Sequence, residues 1–421
     1  MSFIVQESVK MGKPLIAASF NYRLGGSGFL PGTSVHKSRA VNLGLHDQRM
    51  ALRWIQENIA AFGGDASRVT VQGESAGAFS IGVHYLTNEE QDEEFFHAAI
   101  AESGGPVLGA PLTASDEQDV MYERILTDIG CLAMKDDLEC LRSQDASKLN
   151  QAFARTSGSY VPILDADLVT GYTSVALREG RFSNRPLLIG TCYNEASSII
   201  VASCFAANTS ADFQDYVAGS WKGISSTTIN GIVDEYVNKM SEEELKKSLG
   251  TIRQSPGPQY GSLFGNLAMY QGDIIFDATR RYTTEVWGQY RVPVYSYRFS
   301  VVPNGIDSEI LGVPHFQEIP FAFRNFDGVG HEVNRLASAS FKPRQKYLQV
   351  SNLMSRMWIS FVNEHSPNGH DVENFNVTWP TYKPGNAVNM LFGIDGTKLE
   401  QDTYRTDAIR YIIKSFGDLR V

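Results

Sequence analysis

Short, uninterrupted apolar runs recur along the chain, with amphipathic or polar stretches between them. Runs of this kind are typical of strands that a parallel sheet buries on both faces. They predict strands, which we assign to residues 13–22, 68–73, 96–104, 185–192 and 291–299. Because helical patterns separate these runs, the alternation predicts an α/β protein with a mostly parallel central sheet flanked by helices.

The segment between the first two runs has two parts. Residues 23–34 are rich in glycine and predict a loop. Residues 42–63 predict a helix that ends at Gly63, because apolar residues recur there at helical spacing: Leu45, Met50, Leu52, Trp54, Ile55 and Ile59. Gly26 and Gly28 lack the third glycine of a dinucleotide-binding loop, so they predict no nucleotide cofactor.

Composition and charge narrow the class of protein. The chain has 421 residues, of which 43% are hydrophobic and 20% charged, and its formal net charge is −10. These values are those of an ordinary globular protein, and we treat residues 1–421 as one domain. Acidic charge disfavours nucleic acids and anionic membrane surfaces, and no apolar run reaches the roughly 18 residues of a membrane span. We therefore expect neither nucleic-acid binding nor stable membrane insertion.

The sequence GESAG stands at the junction of a predicted strand and a helical pattern. Gly73-x-Ser75-x-Gly77 in this context is the nucleophile elbow, a sharp turn that lifts a serine hydroxyl above the sheet. Both glycines are expected because the strained serine backbone leaves no room for a Cβ two residues away. Ser75 is thus the predicted nucleophile, and the following amide, Ala76 N–H, a predicted oxyanion donor.

A serine nucleophile needs a base, and the base needs a carboxylate that fixes its tautomer. The base is expected on a loop beyond the last strand of the sheet, and His315 in LGVPHFQEIPFAF fits that description. The acid is expected between Ser75 and His315, directly after a strand, which selects Glu195. His84 and His97 follow the elbow too closely in the sequence to be the base, and we interpret them as ordinary helix or strand-edge residues. His331, His365 and His370 lack a partner motif, so no metal site is predicted.

Several segments together resemble the type-B carboxylesterase/lipase family, in particular its branch of secreted fungal lipases. They are AAFGGDASRVTVQGESAG, LLIGTCYNEA, GVPHFQEIPFAF and NVTWPTY. The resemblance implies an α/β-hydrolase fold, ester hydrolysis without a cofactor, and a Ser-Glu-His triad at Ser75, Glu195 and His315. It also implies a serine close to the acid, at Ser103.

From the family resemblance, we expect the amino-terminal part of the family domain to have no counterpart in this sequence. The resemblance implies further strands and a Gly-Gly oxyanion loop before the segment matching 13–22, and we expect both to be missing. In the family fold, one of those strands lies between 13–22 and 68–73, so two edges would be unpaired. The alternative to an active esterase or lipase is therefore a catalytically impaired fragment, or a non-catalytic cholinesterase-like binding module.

Cysteines and glycosylation sequons bear on the compartment. Cys131 and Cys140 have a spacing that suits a small disulfide loop, and the family resemblance implies that they are joined. We expect buried thiols at Cys192 and Cys204. Two sequons predict exposed glycosylation sites at Asn208 and Asn376. The resemblance implies secretion, whereas a genuine start at Met1, with no signal peptide, would imply a cytoplasmic protein. The expected partner is a small-molecule or lipid ester, and the expected state a monomer or weak dimer.

Overall fold

A computed structural model describes residues 1–86, 94–156, 158, 160–221, 223–338 and 340–421. In this part of the chain, six strands form one sheet in the order in which they occur. The first five are parallel and the sixth is antiparallel to the fifth. The strands are β1 Thr70–Glu74, β2 Ala98–Glu102, β3 Leu187–Cys192, β4 Val294–Phe299, β5 Val388–Phe392 and β6 Lys398–Gln401. Four of the five predicted strands are thereby confirmed.

The helices cover both faces of this sheet. They are α1 Ser2–Lys10, α2 Gly25–Phe29, α3 Thr33–Lys37, α4 Leu43–Asn58, α5 Ala76–Leu86, α6 Asp119–Ile129, α7 Asp137–Arg142, α8 Ala146–Arg155, α9 Thr173–Arg178, α10 Ser197–Ser203, α11 Ser210–Ser220, α12 Ser226–Val233, α13 Glu242–Leu249, α14 Phe264–Gly272, α15 Ala278–Gln289, α16 Ile319–Ala322, α17 Phe341–Glu364, α18 Thr406–Lys414 and α19 Phe416–Leu419. Single 3₁₀ turns span Ile59–Phe62, Ala66–Arg68, Asp116–Gln118 and Pro258–Tyr260, and π-helical turns span Asp234–Asn238 and Asp273–Asp277.

The core lies on the two faces of the sheet, as in a three-layer α/β protein. On one face, Ala99 and Ile189 pack with helices that include α5, α14 and α15. On the other face, Ile100 and Tyr297 pack mainly with α17. No helix among the described residues is long and apolar enough to cross a membrane.

The predicted strand at 13–22 is wrong. This segment forms neither strand nor helix, and most of it is exposed. A strand exists only when a neighbour satisfies its backbone groups, and among the described residues β1 pairs with β2 alone. An apolar run is therefore not enough to form a strand when no partner strand among the described residues lies beside it.

Two other details of the amino-terminal region differ from the predictions. The glycine-rich stretch 23–34 is not a loop, since it contains α2 and most of α3. The helix predicted at 42–63 is α4 followed by a 3₁₀ turn, and it stops at Gly63 in a left-handed conformation, as predicted. However, Met50 and Trp54 of α4 are 70% and 50% exposed, so some of the apolar side chains that predicted this helix face the solvent.

Candidate active site

Ser75 lies on a sharp turn between β1 and α5. Its φ of 56° is in the left-handed region, which L-residues other than Asn, Asp and His enter rarely. Its amide donates a hydrogen bond of 2.9 Å to the Glu102 carbonyl, so the turn is fixed to the end of β2. Strain of this kind is typical of functional positions. The Ala76 N–H belongs to the first turn of α5, where amides have no intrahelical partner and favour negative charge.

The two glycines of the elbow are not equivalent. A Cβ on Gly73 would come within 2.6 Å of the Gly77 backbone, so this position requires glycine, as predicted. A Cβ on Gly77 would meet nothing within 4 Å. The predicted steric need for Gly77 is therefore wrong, because this residue faces a cavity beside β1 and not the body of the turn.

Glu195 lies just after the end of β3, as predicted, and is buried. One of its carboxylate oxygens, Oε1, accepts hydrogen bonds of 2.6 Å from the Cys192 amide and from the Ser103 hydroxyl. Ser103 is thus adjacent to the acid, as the resemblance implied. Both donors bind Oε1, so the other carboxylate oxygen of Glu195, Oε2, can accept a hydrogen bond from a further partner.

That partner is His315, whose Nδ1 lies 2.7 Å from Glu195 Oε2. The loop that carries His315 is attached to the turn after β3. The His315 amide donates to the Glu195 carbonyl, and Asn194 bonds Val313 through both its backbone and its side chain. His315 follows β4, but β5 and β6 come later in the chain. The expectation that it lies beyond the last strand is wrong, because both later strands were missed in the sequence.

The other imidazole nitrogen, His315 Nε2, lies 3.1 Å from Glu74 Oε1. Within the described contacts, no hydrogen bond joins it to the Ser75 hydroxyl. Burial disfavours the imidazolium, but the hydrogen bond to Glu195 and the negative charges of Glu195, Glu74 and Glu318 outweigh it, and the pKa of His315 is raised to about 9. Burial likewise raises the pKa of Glu74 to about 8, although His315 opposes this shift.

Two more carboxyl groups lie behind the triad, and sequence reasoning did not find them. Glu102, at the end of β2, accepts hydrogen bonds from Gln72 and Trp358. Glu318 contacts the Ser103 hydroxyl, the Tyr297 hydroxyl and the Cys192 thiol. Burial raises the pKa of both carboxyls, and that of Glu102 to about 8. Only their positions in the sequence could have indicated them. Glu102 directly precedes Ser103, and Glu318 is three residues after His315.

The imidazole of His315 also has an aromatic neighbour. The ring of Phe276 lies 4.8 Å from it, centroid to centroid, and Phe79 of α5 stacks on Phe276 at 6.3 Å. Phe276 belongs to the π-helical turn Asp273–Asp277. Turns of this type occur frequently at functional sites, because the extra residue redirects the side chains on the helix face.

The remaining candidate residues lie away from this cluster. Cys131 and Cys140 form a disulfide with their Cα atoms 5.8 Å apart. Cys192 is a buried thiol, as expected, but Cys204 is exposed, since it ends the short helix α10 at the surface. The sequon residues Asn208 and Asn376 are both exposed. His84 lies on α5 and His97 next to β2, as predicted, and the described residues contain no cluster of metal-binding side chains.

A parallel sheet with helices on both faces, and a serine on a sharp turn after one strand, define an α/β-hydrolase. Comparison with known proteins gives the family. The chain matches the carboxylesterase family over residues 3–411, and it belongs to that family. It is a serine hydrolase that cleaves carboxylic esters.

Similar proteins include fungal lipases, and similar solved structures include a carboxylesterase. The chain is 29% identical to Lipase 2 of Diutina rugosa, over 96% of its own length and 70% of that protein's. It is 30% identical to Secreted lipase 1 of Botryotinia fuckeliana, over 97% and 68%. The crystal structure of Aspergillus niger EstA superposes with a TM-score of 0.82 at 26% identity, covering 99% of this chain and 77% of that one. Carboxylesterase EST55 of Geobacillus stearothermophilus gives 0.72, also at 26% identity, covering 92% and 74%.

Proposed function

We propose that Ser75, His315 and Glu195 are the nucleophile, the base and the orienting acid of this esterase. The observation that carries the proposal is the 2.7 Å contact between His315 Nδ1 and Glu195 Oε2, next to a serine on a strained turn. A carboxylate bonded to Nδ1 leaves Nε2 free to accept a proton, which is the tautomer that a serine hydrolase needs.

The reaction proceeds through an acyl-enzyme. His315 Nε2 takes the Ser75 proton as Oγ attacks the ester carbonyl carbon, and the resulting oxyanion is stabilised by the Ala76 N–H at the start of α5. The imidazolium then returns the proton to the departing alcohol as the C–O bond breaks. Water attacks the acyl-enzyme by the same route and releases the carboxylic acid and Ser75.

One movement must precede this chemistry. Nε2 faces Glu74 in the structure, and Glu74 is the residue directly before Ser75. We propose that the imidazole moves from Glu74 to the hydroxyl of Ser75, the next residue in the chain, when substrate binds. Catalytic hydrogen bonds are often loose before substrate binds and tighten in the complex.

Turnover of p-nitrophenyl butyrate tests these roles. Ser75→Ala and His315→Ala should remove activity almost completely, and Glu195→Gln should lower kcat by roughly 10⁴-fold, as expected when the wrong tautomer is favoured. Ser220→Ala, at an exposed serine of α11, is the matched control and should keep full activity. Activity that survives Ser75→Ala would refute the assignment.

The substrates we propose are carboxylic esters that include lipid esters, in a secreted, glycosylated enzyme that is a monomer or a weak dimer. Relatives named lipase and secreted lipase support this proposal, as do the exposed sequons and the disulfide. Comparing p-nitrophenyl butyrate with the palmitate ester tests the chain length. Mass spectrometry of Asn208→Gln and Asn376→Gln variants from a secreting host tests the glycosylation. A non-catalytic binding module is not favoured, because the relatives are named as lipases and carboxylesterases.

A further inference from the structure

One helical turn contacts both the triad acid and the triad base. This is the π-helical turn Asp273–Asp277. A Cβ on Gly272, directly before the turn, would lie 3.7 Å from the Glu195 Cβ, which is ordinary van der Waals contact. Near the other end of the turn, the Phe276 ring lies 4.8 Å from the imidazole of His315. The turn therefore adjoins both members of the hydrogen-bonded pair.

The direction of the Phe276 side chain depends on the π geometry of this turn. α14, the π-helical turn and α15 follow one another without a break, so the turn is a single wide turn inside a longer helix. Such a turn holds one residue more than an α-helical turn. An α-helix rotates by about 100° per residue, so a return to α-helical geometry would rotate Phe276 by roughly that angle relative to one flank of the helix. Phe276 faces His315 only while the wide turn persists.

Arg405 connects the two ends of the turn. Its Nε donates to Asp273 Oδ2 at 2.8 Å, and its Nη2 donates to Asp273 Oδ1 and, at 3.1 Å, to Asp277 Oδ2. Asp273 and Asp277 are the first and last residues of the turn, and all three side chains are buried. A guanidinium is a planar group whose donors have fixed directions. Arg405 therefore fixes the distance between the two carboxylates.

This ion pair also lies close behind the triad acid. Asp277 and Arg405 line a cavity of about 10 Å³ together with Glu195. Further bonds hold Asp277 in place, because its Oδ1 accepts from the Thr191 hydroxyl at 3.0 Å and from the Tyr404 hydroxyl at 2.6 Å. A packed interior transmits small displacements, so a change at Arg405 reaches the groups that carry the proton.

We propose that Arg405 is a positioning residue for catalysis. By bridging Asp273 and Asp277 it preserves the π-helical turn, and the turn in turn keeps Phe276 packed on the imidazole of His315. A ring in this place limits how far the imidazole can tilt away from Glu195. The inference rests on the proposed function, since it takes His315 as the base. A buried ion pair that adds only stability is the alternative, and it would need no bridge across the turn.

Arg405→Lys tests the bridge without removing the charge. An ammonium is a compact charge and cannot reproduce the planar fork of a guanidinium. We expect kcat for p-nitrophenyl butyrate, per active site counted by fluorophosphonate titration, to fall by roughly 10- to 100-fold. KM should change by less than about twofold, because binding of the ground state is not affected. Arg281→Lys is the matched control, since the described hydrogen bonds of this buried arginine go to Asp402 and Tyr404. It should keep kcat within about twofold.

A double-mutant cycle tests whether Arg405 acts through Phe276. Phe276→Leu alone should lower kcat by roughly 10-fold or more, with KM again within about twofold. Added to Phe276→Leu, Arg405→Lys should lower kcat further by less than about threefold, because the contact that it disturbs is already lost. If Arg405→Lys does not fold, the same cycle is measured with Asp277→Asn, which releases one end of the bridge and leaves Asp273 paired.

Three results would overturn the proposal. Equal losses of kcat in Arg405→Lys and Arg281→Lys would reduce the role of Arg405 to stability. Independent effects in the double variant would show that Arg405 does not act through Phe276. An unchanged kcat in Phe276→Leu would exclude the ring contact, and this result does not depend on the folding of an arginine variant. Turnover that survives His315→Ala would refute the proposed function itself. If His315→Ala abolishes turnover and Arg405→Lys does not lower it, only the present inference fails.

Discussion

The protonation of His315 is decided by its immediate neighbours. Glu195 holds one ring nitrogen, Glu74 faces the other, and Phe276 covers the ring plane. Together the two carboxyls favour the imidazolium over the neutral ring that accepts the serine proton. Glu195 could be predicted from the sequence because it lies between Ser75 and His315 in the chain and follows a predicted strand. The sequence did not predict Glu74 as a neighbour of the base, because that contact depends on the position of the loop that carries His315, 241 residues further along the chain.

The first prediction concerns pH. The pKa of His315 is raised to about 9, so the neutral base forms only as the pH rises toward that value, and kcat/KM should increase through it. Above about pH 8 the Glu74 carboxyl is ionised. Glu74→Gln removes this charge and should move the midpoint to lower pH by about 1 unit. Glu117→Gln, at an exposed site, is the control. An unchanged or higher midpoint in Glu74→Gln would contradict this account.

The sequence predicted the first four strands of the sheet, including the edge strand β1, but neither β5 nor β6. The runs at 68–73, 96–104, 185–192 and 291–299 correspond to β1, β2, β3 and β4, because uninterrupted apolar runs are typical of strands in a parallel sheet. The run at 13–22 is also apolar, but within the described part of the chain it has no partner strand. β5 and β6 were missed because residues 386–401 mix Asn, Gly and charged residues with their apolar positions, and pairing with β4 determines their structure.

The second prediction separates the two glycines of the elbow. Gly73→Ala places a Cβ 2.6 Å from the Gly77 backbone and should destabilise the protein by about 1–3 kcal/mol. Gly77→Ala meets nothing within 4 Å and lies in α5, where alanine is the better helix former, so it should stabilise by up to about 1 kcal/mol. Free energies of unfolding from urea titrations measure both. Equal losses for the two variants would show that both positions are sterically closed.

At the scale of the whole molecule, a buried cluster of charges connects distant parts of the chain. Asp402, just after β6, accepts hydrogen bonds from Arg280 and Arg281 of α15 at 2.8–3.0 Å. Arg405 bonds Asp273 and Asp277 of the π-helical turn that carries Phe276. The cluster therefore ties the carboxyl-terminal part of the chain to the helix that covers His315. It could not be predicted from sequence, since its two groups, at 273–281 and 402–405, are more than 100 residues apart.

The third prediction tests this cluster. Asp402→Asn leaves two buried guanidinium groups without their carboxylate and should cost about 3–5 kcal/mol. The two arginines overcome burial and lower the pKa of Asp402, so its contribution is present at neutral pH and is lost as the pH falls below the ordinary range of an aspartate. Arg420→Gln, which removes an exposed ion pair with Glu117, should cost less than about 1 kcal/mol. Similar losses in both variants would mean that the buried cluster adds no special stability.

The central claim, that Ser75 is the nucleophile next to a functional base, is tested most directly by labelling with a fluorophosphonate and mapping the adduct by mass spectrometry. The account predicts one adduct, on Ser75, that forms faster as the pH rises and is lost in His315→Ala. Modification of another serine, or a labelling rate on Ser75 that does not depend on His315, would contradict it.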